Sequence, residues 1–206
     1  MKKIILLGLL LLVLAAFRAV APEFEGRIIY QYSFTDLQGN DITARLTPYL
    51  GQQQHYYVKG AAYKAYNEKK EWMQLYEPGP NSYHYFQGVN LAKTFAAGDA
   101  AGPAKTTALK TTETILGHAC RALQIDADGT STTYFYSPDV RLNPAPYARH
   151  NFGHWNTVLQ GTNGGLPLKF VSVNSQAGFI MTAVAIEITP LQLQAEDFAL
   201  PAAAQK

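Results

Sequence analysis

From Arg27 to Phe34 apolar and polar residues alternate, with Ile28, Tyr30, Tyr32 and Phe34 on one side and Arg27, Gln31 and Ser33 on the other. A period of two is that of a half-buried β-strand. The same kind of pattern recurs at His55–Lys59, Ala61–Glu68, Trp72–Glu77 and Tyr83–Gln87. Gly60, the charged run from Glu68 to Glu71 and the Pro78-Gly79-Pro80-Asn81-Ser82 cluster separate these segments, as tight turns between strands require. Ile42–Leu50 fits a short strand or one or two helical turns, and Pro48 limits either.

Ala96–Lys110 is rich in Ala, Gly, Thr and Lys with few large apolar residues, which predicts an exposed loop. A second series of strands begins near Ile115: Gly117–Ile125, a hairpin turn at Asp126–Gly129, and a return over Ser131–Tyr136. Pro138–Pro146 reads as irregular. Ala148–Leu159 is the expected helix, with Phe152, Trp155 and Leu159 at helical spacing on one side. A last hairpin, Leu166–Asn174 with Phe179–Ile188, precedes a tail at Leu191–Pro201 that is expected to pack back onto the sheet through Leu193 and Phe198. The predicted class is α+β, mainly β: one strongly curved antiparallel sheet covered by one or two helices.

The beginning of the chain changes the reading of its charge. Lys2 and Lys3 precede a 14-residue apolar run from Ile4 to Phe17, followed by Ala19-Val20-Ala21. At about 1.5 Å per residue that run covers roughly 21 Å, short of the ~30 Å core of a bilayer. It therefore reads as an export signal over residues 1–21, ahead of a single domain at 22–206. Removing it takes away Lys2, Lys3 and Arg18 but no acid, so the formal charge falls from +2 to −1. No cluster of lysine and arginine remains to track phosphates, which excludes nucleic acid as a partner. Cys120 is the single cysteine, so the folded chain has no intramolecular disulfide and depends on its core.

Chemistry-bearing residues are sparse. His150 and His154 stand four apart on the expected helix, but two histidines without a third ligand make an incomplete metal site. His118 and Cys120 alternate onto one face of a strand, where a small buried cysteine is the commoner reading than a thiolate pair. Asp126, Asp128 and Gly129 supply too few oxygens in series for a calcium loop and suit a hairpin turn. No G-x-S-x-G elbow and no glycine-rich phosphate loop is present. No enzyme activity, cofactor or metal is expected. What stands out is the aromatic content: Tyr56, Tyr63, Tyr66, Trp72, Tyr76, Tyr83, Tyr85 and Phe86 fall within one 31-residue stretch.

Four segments resemble, in order, the motifs of a secreted Gram-negative family. Phe24-Glu25-Gly26-Arg27-Ile28-Ile29-Tyr30 resembles its first strand, and the run from Thr111 to Cys120, containing Ile115-Leu116-Gly117, resembles the hallmark that opens its second half. Gly164-Gly165-Leu166-Pro167-Leu168 resembles a strand entry, and Asp197-Phe198-Ala199-Leu200-Pro201 a terminal motif. That family is similar to the lipoprotein carriers LolA and LolB. The resemblance implies an unclosed half-barrel whose concave face, lidded by helices, holds acyl chains. Such carriers lock the lid with an arginine, for which Arg45 and Arg121 are the nearest stand-ins here.

Pattern and resemblance together lead to an exported, monomeric protein of the periplasm or exterior, binding a hydrophobic or lipid-like molecule and meeting envelope proteins or membrane transiently. The expected lining is Ile28, Tyr30, Tyr32 and Trp72 from the sheet, with Phe152 and Trp155 from the lid. An envelope interaction module with a filled core is the alternative, and a hydrolase ranks third.

Overall fold

A computed structural model describes residues 22–88, 90–99 and 101–201. The expected export signal lies outside them. The described strands form one antiparallel sheet of eleven, in the order β6-β5-β4-β3-β2-β1-β11-β10-β9-β8-β7. These are β1 (Gly26–Asp36), β2 (Gln53–Lys59), β3 (Ala62–Tyr66), β4 (Trp72–Glu77), β5 (Ser82–Gly88), β6 (Asn90–Ala96), β7 (Lys105–Ile115), β8 (His118–Ala127), β9 (Thr130–Arg141), β10 (Gly165–Asn174) and β11 (Phe179–Pro190). Each run of consecutive strands is a meander, and β1 joins the two runs by pairing with β11, Arg27 opposite Thr189 and Asp36 opposite Phe179. With β6 and β7 at the two ends, the sheet does not close into a barrel. Two short helices, α1 (Thr43–Leu50) and α2 (Trp155–Gly161), complete the mainly β architecture expected from the sequence.

The alternation in β1 does what a period of two predicts. Ile28, Tyr30, Tyr32 and Phe34 are buried, and they join residues of both halves of the sheet, from Val58 and Tyr83 to Leu168 and Ala183, in one core cluster. A flat sheet could not bring β5 and β10 to a common core, so the sheet bends around it. Its other face carries a smaller cluster, Leu75, Phe86, Leu193 and Phe198, with the tail laid across it as expected.

Three local departures from the sequence reading have physical causes. Lys105–Lys110 belongs to β7 rather than to a loop, and β6 was not foreseen. Both are edge strands whose side chains are largely exposed, so neither shows a buried stripe. β9 runs on through Pro138 to Arg141, where irregular chain was expected. Its pairing with β8 ends at Tyr136, so a proline beyond that point costs no ladder bond on that side.

In place of one helix over Ala148–Leu159 the chain makes a short 3-10 turn, Phe152–His154, followed by α2, with a further 3-10 turn, Ala145–Tyr147, just ahead of them. Gly153 and His154 have φ of 61° and 57°, a left-handed conformation that ends a right-handed helix. The amides of Asn151 and Phe152 instead donate to the Ala97 carbonyl at 2.6 and 3.1 Å, strapping this lid to the end of β6. After α2 the chain returns to the sheet at Gly164, where φ is 83° and a Cβ would come within 2.1 Å of the Leu142 carbonyl oxygen. Only glycine fits there, and a Cβ on Gly165 would come within 2.9 Å of the Ser137 carbonyl oxygen.

Candidate functional site: an aromatic hollow under the lid

Between the bent sheet and the lid lies a hollow of about 410 Å³. Tyr56, Tyr63 and Tyr83 reach it from β2, β3 and β5, and Thr132, Tyr134, Phe170 and Met181 from β9, β10 and β11. The lid closes one side with Phe152 and Trp155. Phe152 is held by stacking on Tyr83, with ring centroids 4.2 Å apart and 24° between planes, and by Phe95 at 4.7 Å. Trp155 packs edge-on against Tyr63 at 6.2 Å and, with Val158 of α2, against Leu123 and Ile125 of β8.

Several of the polar atoms in the wall have partners within the protein. The Tyr30 hydroxyl donates to the Pro167 carbonyl at 2.6 Å, and the Tyr83 hydroxyl donates to Gln74 Oε1 at 2.8 Å. The Tyr63 hydroxyl shares a 2.7 Å hydrogen bond with His150 Nε2. Burial pushes the hydroxyls of Tyr30, Tyr56 and Tyr63 far above the ordinary tyrosine range, so all three stay neutral. Among the described residues, none that lines the hollow is Asp, Glu, Lys, Arg, His or Cys. Its wall offers apolar contact and a few neutral hydrogen-bonding groups, as pockets for greasy molecules do.

Of the six residues expected to line it, Tyr30, Phe152 and Trp155 do so. Ile28 and Tyr32 lie on the same face but are packed into the core, 0% and 6% exposed, and do not reach the hollow. Trp72 is on the opposite face, beside Phe86 (ring centroids 5.2 Å) and Tyr66 (4.6 Å), under the tail. The reason is a β-bulge: Ala65 pairs with Gln74, but the next pair is Tyr66 with Trp72, leaving Met73 extra. Met73 and Gln74 both face inward, and Trp72 is turned out. The lining residues contributed by β9 to β11, Thr132, Tyr134, Phe170 and Met181, escaped the sequence reading. Their segments alternate, but nothing in a single strand says which half of a bent sheet it will face.

The other candidates resolve into structural roles. His150 is fully buried, stacked on Tyr63 with 12° between the rings. Burial pushes its imidazole down to about 4. His154 Nε2 instead pairs with Asp128 Oδ2 at 2.9 Å, joining the lid to the turn between β8 and β9. The two histidines therefore have separate partners and do not converge. Cys120 is buried in the core, where desolvation, followed by the Glu113 carboxylate, raises its thiol and disfavours the reactive thiolate. Its sulfur meets the His118 backbone oxygen at 3.5 Å rather than the imidazole. Asp128 and Gly129 form the two-residue turn between β8 and β9, with φ of 51° and 75°. Arg45 and Arg121 are both exposed and neither lines the hollow.

The fold and site together define an unclosed half-barrel with an apolar hollow under a lid. Solved structures similar to this chain include PNGF-II in two crystal forms, with TM-scores of 0.47 and 0.48 and identities of 12% and 14% over 84% of this chain. The chain spans only 30% and 29% of the length of those two. A LolA superfamily protein from Nitrosomonas europaea is similar over 88% of this chain and 93% of its own, with a TM-score of 0.37 and 8% identity. Likenesses this distant carry no function across. No protein-family model and no curated protein sequence matches the chain.

Proposed function

We propose that the chain is an exported, non-enzymatic binding protein that holds a hydrophobic, lipid-like molecule in the hollow between sheet and lid. In this reading residues 1–21 direct export and residues 22–206 work as one domain outside the cytoplasm. One observation carries it: about 410 Å³ remains inside the bend of the sheet, walled by tyrosine, phenylalanine and tryptophan rings and by neutral polar side chains such as Gln54, Thr130 and Asn174, with no charged side chain among the described residues. That size falls within the roughly 300–1,000 Å³ of small-molecule sites. A filled interaction module has no need of such a space, because natural cores pack to near-crystalline density. Binding would be driven by removal of apolar surface from water, at about 25 cal/mol per Å². Tyr30, Phe152 and Trp155 are contact residues, while Ile28 and Tyr32 brace the wall from within the core. Loading and release would require passing contact with a membrane or another envelope protein.

The test is to purify the mature chain and combine native mass spectrometry with organic extraction. A monomer carrying extractable lipid, or an empty monomer that takes up an uncharged fluorescent probe such as N-phenylnaphthylamine with a blue shift, is the expected result. A stable monomer that is empty and gives no probe signal overturns the reading.

A further inference from the structure

The wall of the hollow is not uniform. β9 and β10 pair in register along it, so their inward residues meet in rows: Tyr134 opposite Phe170, Thr132 opposite Ser172, and Thr130 opposite Asn174. β11 continues the last two rows, with Met181 beside Ser172 and Phe179 beside Asn174. Inward residues two apart on a strand are separated by about 7 Å, and opposed ones by about 5 Å. The lining therefore changes along these strands from aromatic rings to a square of four neutral polar side chains, edged by Met181 and Phe179.

These groups differ from the enclosed tyrosine hydroxyls in being reachable and in having bonding capacity to spare. All four residues are half-buried. The Thr130 hydroxyl has no hydrogen-bond partner among the described residues. Asn174 commits its Oδ1 to the Ala177 amide at 2.8 Å, which leaves its NH2 group. Thr132 Oγ1 and Ser172 Oγ lie 3.0 Å apart, a bond that uses one of their two protons and few of their lone pairs.

The chemistry of a matching ligand follows. The square offers donors and acceptors together and no charge. An ion leaving water for it would find no counter-charge among the lining residues, a cost that neutral dipoles do not offset. Ether and ester oxygens only accept, and a bare hydrocarbon does neither, so each leaves much of the square unpaired. A group that both donates and accepts at several points over such an area is a polyol. The Phe179 ring gives the C–H face of such a group a surface to lie against.

Resting on the reading of the hollow as a lipid site, we infer that its occupant is an amphiphile with an uncharged polyhydroxylated head, a sugar or glycerol unit. The head binds the Thr130–Asn174 and Thr132–Ser172 rows, and the apolar part lies along Phe170 and Phe152. Selection is then for hydroxyls at one end of the molecule and against a charged head.

Displacement of N-phenylnaphthylamine by amphiphiles that share a decyl chain, each below its micellar concentration, tests this. The series is decyl glucoside, 1-O-decylglycerol, decyl tri(ethylene glycol) ether, decyltrimethylammonium and decyl sulfate. The better of the two polyols should act at a concentration about tenfold below the other three, the worth of two neutral hydrogen bonds. Which polyol leads distinguishes a sugar from a glycerol head. Combining Thr132→Val with Ser172→Ala removes both partners of one bond, so it widows no buried group and should hold the urea midpoint. It should shrink the tenfold advantage to about threefold. Thr130→Val, which breaks no bond within the protein, should also reduce it and serves if the double variant does not fold. An ethylene glycol or charged head that displaces as well as both polyols overturns the inference, as does an advantage undiminished in the variants or a bound probe that none of the series displaces. The apolar hollow would survive each of those results. If the probe itself does not enter and no lipid is extracted, the lipid-site reading falls and this inference with it.

Discussion

The imidazole of His150 lies parallel to the ring of Tyr63, 5.7 Å between centroids and 12° between planes, while its Nε2 and the Tyr63 hydroxyl are 2.7 Å apart. The Tyr76 ring, itself stacked on Tyr63, also approaches the imidazole, to 4.0 Å. A lid residue is thereby fixed to β3 by stacking and by one hydrogen bond, and only the neutral imidazole is comfortable there.

Acid should therefore loosen the lid. Burial lowers the folded-state value of His150 from 6.5 to about 4. Between those limits the unfolded chain binds the proton and the folded chain does not, so stability is complete above about pH 6.5 and declines as pH falls toward 4. The full effect is about 3 kcal/mol. Urea midpoints measured from pH 7.5 to pH 4 should show that decline. His150→Gln should flatten the profile over this window, at some loss of stability at neutral pH, because Tyr63 loses its stacked partner.

A second tie holds the lid from outside. The His154 Nε2 to Asp128 Oδ2 contact joins the lid to the turn between β8 and β9, and the Asp128 side chain is 65% exposed. Exposed pairs of this kind contribute under about 1 kcal/mol. Asp128→Gly, which removes the carboxylate at a position whose φ of 51° glycine adopts freely, should leave the global urea midpoint nearly unchanged, yet amides of residues 152–158 should exchange with deuterium several-fold faster. Unchanged exchange at those amides would show that the Ala97 strap and the Phe152 stacking hold the lid without this pair.

How much of this was legible beforehand differs from element to element. β1 announced itself, because Ile28, Tyr30, Tyr32 and Phe34 alternate with polar residues and all four are buried. The Asp128-Gly129 turn after β8 was equally plain in residue type, whereas the Leu116-Gly117 turn after β7 was not, since leucine seldom adopts a φ of 50° and Gly117 reads as the start of a strand. Edge strands were not, since β7 exposes most of both faces and leaves no periodic stripe. The site was read in part for a related reason. Parity along a strand assigns faces only while the register is unbroken, and the extra residue at Met73 sends Trp72 to the wrong side of the sheet for a lining role. Phe152 and Trp155 border the hollow by a route that the sequence pattern does not show. They were set on one face of a continuous helix, whereas a left-handed break at Gly153 and His154 presents both to the hollow.

That misplacement gives a discriminating pair of variants. Trp72→Ala removes a half-buried ring that touches Phe86 and Tyr66 on the outer face. It should cost roughly 2–3 kcal/mol, less than a fully buried aromatic, and leave probe affinity unchanged at a temperature where the protein remains folded. Phe152→Ala removes a ring that faces the hollow and stacks on Tyr83. Losing its share of apolar contact should weaken probe binding about five- to tenfold. The reverse outcome, with Trp72→Ala weakening the probe and Phe152→Ala not, would put the ligand on the outer face under the tail.

Filling the hollow separates space from surface. Met181 on β11 both packs against the core and lines the cavity, so Met181→Trp adds a large ring where the wall has room. In a closely packed core such a substitution strains its neighbours by about 1–3 kcal/mol. Here the added ring has 410 Å³ to enter, so the urea midpoint should hold or rise while probe uptake and extractable lipid fall together. A destabilised variant that still carries its lipid would mean that Met181 points into packed protein and that the ligand is held elsewhere. A stable variant stripped of lipid would locate the binding energy in the space beneath the lid, since nothing on the outer face of the sheet has been touched.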